Sequence, residues 1–367
     1  MPGANEVFDG YCILLKQQSR AGGAASSLYL SPGNSPFIRV RNKFIESDNI
    51  PPIGEKEISD IVDYLFDCLH IKAEKPLMEI GLNYEAKGVG SFKAAITLGQ
   101  KGYTIMISPL SREIPDLDSL GLPESIKQFV YMQRGLVIVI GKRSSGKSTT
   151  TASIISFINR NFTKKITVIE ESPNYYHDDW LSIVNQPYIR YPDLFKSVES
   201  IERTIGDASV LAIDGLPMYE TMKIALHAVN KGMFVIASVN ANGGVPEVLR
   251  LIVESFPENE RKEARFSLSS ALECAFWQEL LPNTRGDGLV PVFEILLNDP
   301  VIAGIIRNDA FHLLRPTIAA GAVRGMRTIN QALNEMTASG AIAEDTASSF
   351  REVTYSRYIH PIKEAYL

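Results

Sequence analysis

Cysteine is scarce in this chain. There are three in 367 residues, Cys12, Cys68 and Cys274, far apart and in no C-x-x-C or metal-ligand spacing. That excludes a disulfide framework and a cysteine-ligated zinc site, and it is the usage expected of reduced thiols in a cytosolic protein. The five histidines, His70, His177, His227, His312 and His360, are equally dispersed. A catalytic histidine would need a partner group nearby, and the sequence supplies none. Positive charge is not in excess either: the formal net charge is −5, which argues against a general nucleic-acid-binding surface. Nothing approaches the ~18 uninterrupted apolar residues of a membrane span. Near the start, Glu6 and Asp9 accompany only a short apolar run, Tyr11–Leu15, which fits neither a signal peptide nor a span. The expectation is no nucleic-acid partner and no direct membrane insertion, so that any membrane association comes through another protein.

What is present begins with Gly141-Lys142-Arg143-Ser144-Ser145-Gly146-Lys147-Ser148, which fits the P-loop pattern G-x-x-x-x-G-K-[ST]. It follows the continuous aliphatic run Leu136–Ile140, the composition of a strand buried on both faces of a parallel sheet. A helical segment from Thr149 follows it. Strand, glycine-rich turn and helix in that order let main-chain N–H groups and a helix N-terminus cradle a polyphosphate. ATP is the expected ligand, held by Gly141, Ser144, Ser145, Gly146, Lys147, Ser148 and Thr149. Lys147 would reach the terminal phosphates, and Ser148 would ligate Mg²⁺. By chance alone such a pattern turns up in unrelated chains, but not usually between these two elements.

The length suggests two domains. Residues 1–26 end in the small-residue stretch Arg20–Ser27 and read as a flexible arm. From Leu28 the chain runs strand, turn (Ser31–Pro36), strand (Phe37–Val40). A helix over Asp60–Leu69 with Ser59 as its cap comes next, and then strands at Glu79–Glu85, Gly90–Gly99 and Tyr103–Ile107. Residues 27–122 are therefore read as a small α+β domain. Beyond it strands are expected at 135–140, 166–170, 209–214, 233–239 and 290–296. Helices are expected at Thr149–Asn161, Leu194–Ile205, Pro217–Lys231 and Asn259–Leu272. This alternation builds a mostly parallel sheet covered by helices across residues 123–340, with the P-loop at the carboxyl edge of its first strand. Helices at Thr328–Thr337 and Glu344–Tyr355 complete the chain, residues 341–367 forming a helical tail.

Several segments, taken in order, resemble one family. They are Arg134–Val137 before the P-loop, Ser148-Thr149-Thr150 after it, Ile166–Pro173, Val184-Asn185-Gln186, Ser255-Phe256-Pro257 and Gly325–Leu333. Together with Leu30-Ser31 and Pro36–Val40 they are similar to the type IV pilus retraction ATPases, the PilT and PilU group of the secretion-ATPase superfamily. The resemblance spans roughly residues 27 to 335. It implies a PAS-like N-terminal domain followed by a RecA-like motor domain, assembled as a hexameric ring. The ring would sit in the cytoplasm, peripheral at the inner membrane, and act on an inner-membrane platform protein to power retraction and twitching motility. Its partners would be further copies of itself or a paralogous ATPase in a mixed or stacked ring.

The same resemblance assigns site residues and exposes departures. Glu170 matches the family's acidic box, where a carboxylate assists metal or water, while Glu171 stands where an Asp is usual. Asp214 ends the apolar run Leu211-Ala212-Ile213 as a Walker B acid does, in place of the family's Gly-Glu; its carboxylate reaches about 1.5 Å less far than a glutamate's. It would hold Mg²⁺ with Ser148, directly or through water. Lys147, Glu170 and Asp214 are thus the expected catalytic set. Asn240 replaces the family's box histidine and carries neither proton nor charge. Ser91, Lys93 and Ser108 occupy places where the family offers arginines to a neighbour's nucleotide. In the loop, Lys142-Arg143 replaces Pro-Thr and Ser144 replaces Gly. Two readings follow: a hydrolysing motor with a relaxed site, or a nucleotide-binding accessory subunit that supports a competent paralogue. A P-loop protein of another process, such as type IV secretion, is the third.

Overall fold

A computed structural model describes residues 3–20, 25–40, 43–47, 50–68, 79–111, 113–170, 173–187, 198–286 and 288–359. The chain divides into two compact units. One comprises Met1–Glu113 with Glu171–Asp178, the other Ile114–Glu170 with Asp179–Leu367.

The smaller unit is an antiparallel sheet backed by two helices. Strands β1 (Ala25–Leu30), β2 (Phe37–Val40), β3 (Lys43–Glu46), β4 (Glu79–Ala86), β5 (Gly90–Gly99) and β6 (Gly102–Pro109) lie in the order β3-β2-β1-β6-β5-β4. Helices α1 (Ala4–Arg20) and α2 (Glu55–Cys68) share one core with it. The expected flexible arm is corrected over residues 4–20. Phe8, Tyr11, Cys12 and Leu15 recur at i, i+3, i+4 and i+7 and are buried, so this stretch has the apolar stripe that holds a helix to a sheet. Ala25 and Ser26, assigned to the same arm, open β1, and residues 21–24 lie outside the described set. The expected start of the second helix is also corrected. It begins a turn earlier, at Glu55 rather than after a Ser59 cap, with Glu55 and Glu57 in its first turn, where carboxylates meet the positive end of the helix dipole. Leu69 lies outside the described residues.

The larger unit is built on a seven-stranded sheet in the order β13-β12-β7-β11-β10-β8-β9. Its strands are β7 (Gly135–Gly141), β8 (Lys165–Glu170), β9 (Ile183–Asn185), β10 (Val210–Asp214), β11 (Phe234–Asn240), β12 (Leu272–Pro282) and β13 (Leu289–Leu297). All neighbours are parallel except β12 and β13. Helices α3 (Glu124–Lys127), α4 (Lys147–Asn161), α5 (Val198–Ile205), α6 (Met218–Asn230), α7 (Val245–Glu254) and α8 (Arg261–Ala271) alternate with the strands. After β13 come α9 (Pro300–Arg307), α10 (Leu314–Ala320), α11 (Ile329–Ala338) and α12 (Glu344–Ile359).

The strand period of two explains how one sheet serves two cores. On β7, Leu136, Ile138 and Ile140 enter one core with α6, α7 and α8; Val137 and Val139 enter the other with Ile154, Ile155 and Ile158 of α4. Leu211 and Ile213 against Val210 and Ala212 repeat the pattern on β10. A strand covered on both sides admits few polar residues, and none in β7, hence its unbroken aliphatic run. Strand β12 differs from expectation: Leu272, expected to end a helix, opens a strand of eleven residues. Helix α8 passes into it with no Gly or Pro between, so nothing in the local sequence punctuates the change. The expected helix at 194–205 is described from Val198 onward.

Candidate functional site

The carboxyl ends of four parallel strands fall on one edge of the larger sheet, and strand register shows which residues meet there. Gly141 at the end of β7 pairs with Asn240 at the end of β11. Ile213 pairs with Ala237, and Asp214 at the end of β10 pairs with Glu170 at the end of β8. On the other side of β7, Ile140 pairs with Trp277, so Gln278 and Glu279 of β12 come level with the start of the glycine-rich loop. Lys147, Glu170, Asp214 and Asn240 thus share an edge although nearly a hundred residues separate the first from the last.

The loop itself is tight. A Cβ on Gly141 would lie 2.3 Å from Ser145 Oγ and 2.6 Å from the Gln278 carbonyl oxygen. Gly146 caps α4 in the left-handed region (φ 90°), and a Cβ there would lie 2.7 Å from Gln278 Nε2. Both positions therefore require glycine. Ser144 is also left-handed, at φ 65°. That conformation strains a non-glycine residue by about 1–2 kcal/mol. The side chains of Lys142 and Arg143 diverge: Arg143 is exposed, whereas Lys142 Nζ lies 3.0 Å from Glu279 Oε2.

Lys147 opens α4 and is buried, with its ammonium donating to the Lys142 carbonyl at 2.6 Å. Burial holds its pKa below the ordinary lysine value; the charges of Asp214 and Glu279 oppose that shift and Arg143 adds to it. Ser148 and Thr149 are half-buried in the first turn of α4. Ser145 Oγ is buried without a hydrogen-bond partner. Asp214 is buried at its strand end, and one carboxylate oxygen of Glu170 is buried as well. Glu171 lies outside the described residues.

Gln278 carries no motif and sequence reasoning passed over it. Its buried amide accepts from Thr150 Oγ1 at 2.8 Å and donates to the Ser145 carbonyl at 2.9 Å. One side chain thereby latches the loop to the first turn of α4, and replacing it by an apolar group would strand two buried polar partners. A second tie, Thr151 Oγ1 to Ser238 Oγ at 3.0 Å, fixes α4 to β11 just before Asn240. In the smaller unit, Lys93 on β5 pairs directly with Ser108 on β6, and Ser91 Oγ donates to Glu85. The described residues hold no cluster of three or more His, Cys, Asp or Glu suited to a metal ion. No described helix is long and apolar enough to cross a membrane.

With this geometry in hand, similarity to known proteins can be placed. The family model of type II/IV secretion system proteins matches residues 106–286. The type IV pilus retraction ATPase PilT of Pseudomonas aeruginosa is 27% identical over 323 residues, covering 88% of this chain and 93% of its own. The type IV pilus ATPase PilU of the same organism is 28% identical over 341 residues, covering 91% and 86%. Among solved structures, the pilus retraction motor PilT with bound ADP superposes with a TM-score of 0.77 at 26% identity, over 92% of this chain and 96% of that one. The Legionella pneumophila ATPase DotB has the same TM-score at 20% identity, which is a likeness of fold alone. Sheet order, loop and relatives agree: in sequence and fold the chain is similar to the secretion ATPases of the PilT/PilU type, with a PAS-like α+β domain before a RecA-like ATPase domain.

Proposed function

We propose that this chain binds Mg²⁺-ATP at Gly141–Ser148 and hydrolyses it as a subunit of a hexameric ring that powers type IV pilus retraction. The observation that carries the reading is the convergence of Lys147, Asp214, Glu170 and the P-loop on one sheet edge. The residues fit a polyphosphate: two glycines stand where any Cβ would collide, Ser145 Oγ is buried without a partner, and a buried ammonium faces the loop. Ser144, Ser145 and Thr149 would add donors beside the main chain. Mg²⁺, when bound, would supply positive charge to offset that of the phosphates. Ser148 and Asp214 would hold it, the latter directly or through water. Glu170 would orient the attacking water. Pilus retraction is the role that a relative named as a type IV pilus retraction ATPase suggests; on this proposal the work is done on an inner-membrane platform protein from the cytoplasmic side.

A second reading is favoured by Asp214 and Asn240. The shorter carboxylate and the uncharged amide weaken water activation, and a displacement near 1 Å costs on the order of 10²-fold in rate. On this reading the chain is an accessory subunit that binds ATP and supports a competent paralogue; the level of similarity to PilU matches that to PilT. Steady-state Mg²⁺-ATP hydrolysis across a range of protein concentrations separates the two, with Lys147→Ala as control. Turnover that rises with assembly and disappears in the variant establishes the motor. Nucleotide binding without turnover establishes the accessory subunit. Absence of binding in the wild-type chain overturns both.

A further inference from the structure

The last helix reaches the nucleotide loop. Phe350 on α12 packs against Trp277 with ring centroids 5.8 Å apart, and Lys142 Nζ stands 5.8 Å over the Phe350 ring. The same ammonium is 3.0 Å from Glu279. Residues 277–279 of β12 therefore make three different contacts in succession. Trp277 holds α12, Gln278 holds Ser145 and Thr150, and Glu279 holds Lys142. The Lys142 carbonyl meanwhile accepts from Lys147 Nζ at 2.6 Å and from Ser145 N at 3.3 Å. Lys142 is thus bonded through its main chain to the phosphate-directed lysine and through its side chain to the C-terminal helix.

We infer that Lys142 is a positioning residue that couples nucleotide occupancy to the docking of α12, such that nucleotide binding loosens Phe350 from Trp277. The inference rests on reading Gly141–Ser148 as the nucleotide site. A polyphosphate draws the Lys147 ammonium away from the Lys142 carbonyl. It also competes with Glu279 and the Phe350 ring for the Lys142 ammonium, which cannot serve both sides at once. An ammonium over an aromatic face is a weak tie that a phosphate outbids. Linkage then requires that loosening the helix by other means tightens nucleotide binding by the same factor.

The chain has two tryptophans, Trp180 and Trp277, so Trp180→Phe in the full-length protein leaves Trp277 as the sole tryptophan, excited at the red edge of its absorption where tyrosine does not absorb. Emission would be followed while Mg²⁺-ATPγS is added, with binding measured separately by calorimetry. The expected result is a saturable change in Trp277 emission whose midpoint matches the calorimetric Kd. Lys142→Met should abolish the change while binding persists, and Lys142→Arg should restore it, since a guanidinium keeps both the ion pair and the ring contact. Phe350→Leu should lower the Kd by about two- to fivefold, the equivalent of an exposed cation–π contact. Nucleotide binding that leaves Trp277 unchanged, or a Phe350→Leu Kd equal to the parent's, overturns the coupling and spares the site. A parent protein that binds no better than its Lys147→Ala variant overturns both. Unchanged circular dichroism of each variant separates these outcomes from misfolding.

Discussion

At the scale of single residues, His177 shows how burial shifts a titration. It is buried, and desolvation pushes its pKa down from 6.5 to about 4. In the unfolded chain the imidazole takes a proton near pH 6.5, whereas in the folded chain it stays neutral until about pH 4. Between those values the unfolded state binds more protons, so stability is full above pH 6.5 and is lost as pH falls toward 4. The loss amounts to as much as about 3 kcal/mol. Thermal unfolding from pH 7.5 to 4.5 should show this slope, and His177→Gln should flatten it. Parallel profiles for the two proteins would remove the assignment. Ser144 and Gln278 teach a different lesson about legibility. The P-loop was readable because its glycines, lysine and serine are fixed by chemistry at fixed spacing. That Ser144 keeps a left-handed backbone follows from the loop's closure, and residue type alone would have argued against it. Gln278 was illegible because its partners lie far away in the chain, and only the pairing of Trp277 with Ile140 brings it to the loop.

At the scale of elements, patterns with a strong period were readable and transitions were not. Strand β7 announces itself because burial on both faces forces an unbroken aliphatic run ending at a glycine. Strand β12 does not, because a helix passes into it without a turn residue and its sequence mixes Cys, Trp, Gln and Glu. Helix α1 has a legible stripe in Phe8, Tyr11, Cys12 and Leu15, obscured by the small-residue stretch after it. Its burial makes a direct prediction. Leu15 is fully buried in the core of the smaller unit, so Leu15→Ala should destabilise that unit by about 2–5 kcal/mol. Unfolding monitored by limited proteolysis and by denaturant titration would check this. A change below ~0.5 kcal/mol would mean that α1 is a dispensable arm after all.

At the scale of the whole molecule, the P-loop, Glu170, Asp214 and Asn240 sit in the larger unit, while Ser91, Lys93 and Ser108 sit in the smaller one. Measuring assembly in solution needs a reporter, and the cysteines provide one. Cys12 and Cys274 are buried, and burial drives both thiols far above the usual range, which denies them the reactive thiolate. Cys68, at the end of α2, is exposed. A maleimide dye should therefore couple once per native chain, and three times after denaturation, as mass spectrometry would count. The unaltered protein then carries its own single attachment point for a fluorophore, and mixing donor-labelled with acceptor-labelled chains would report subunit exchange in real time without an engineered cysteine.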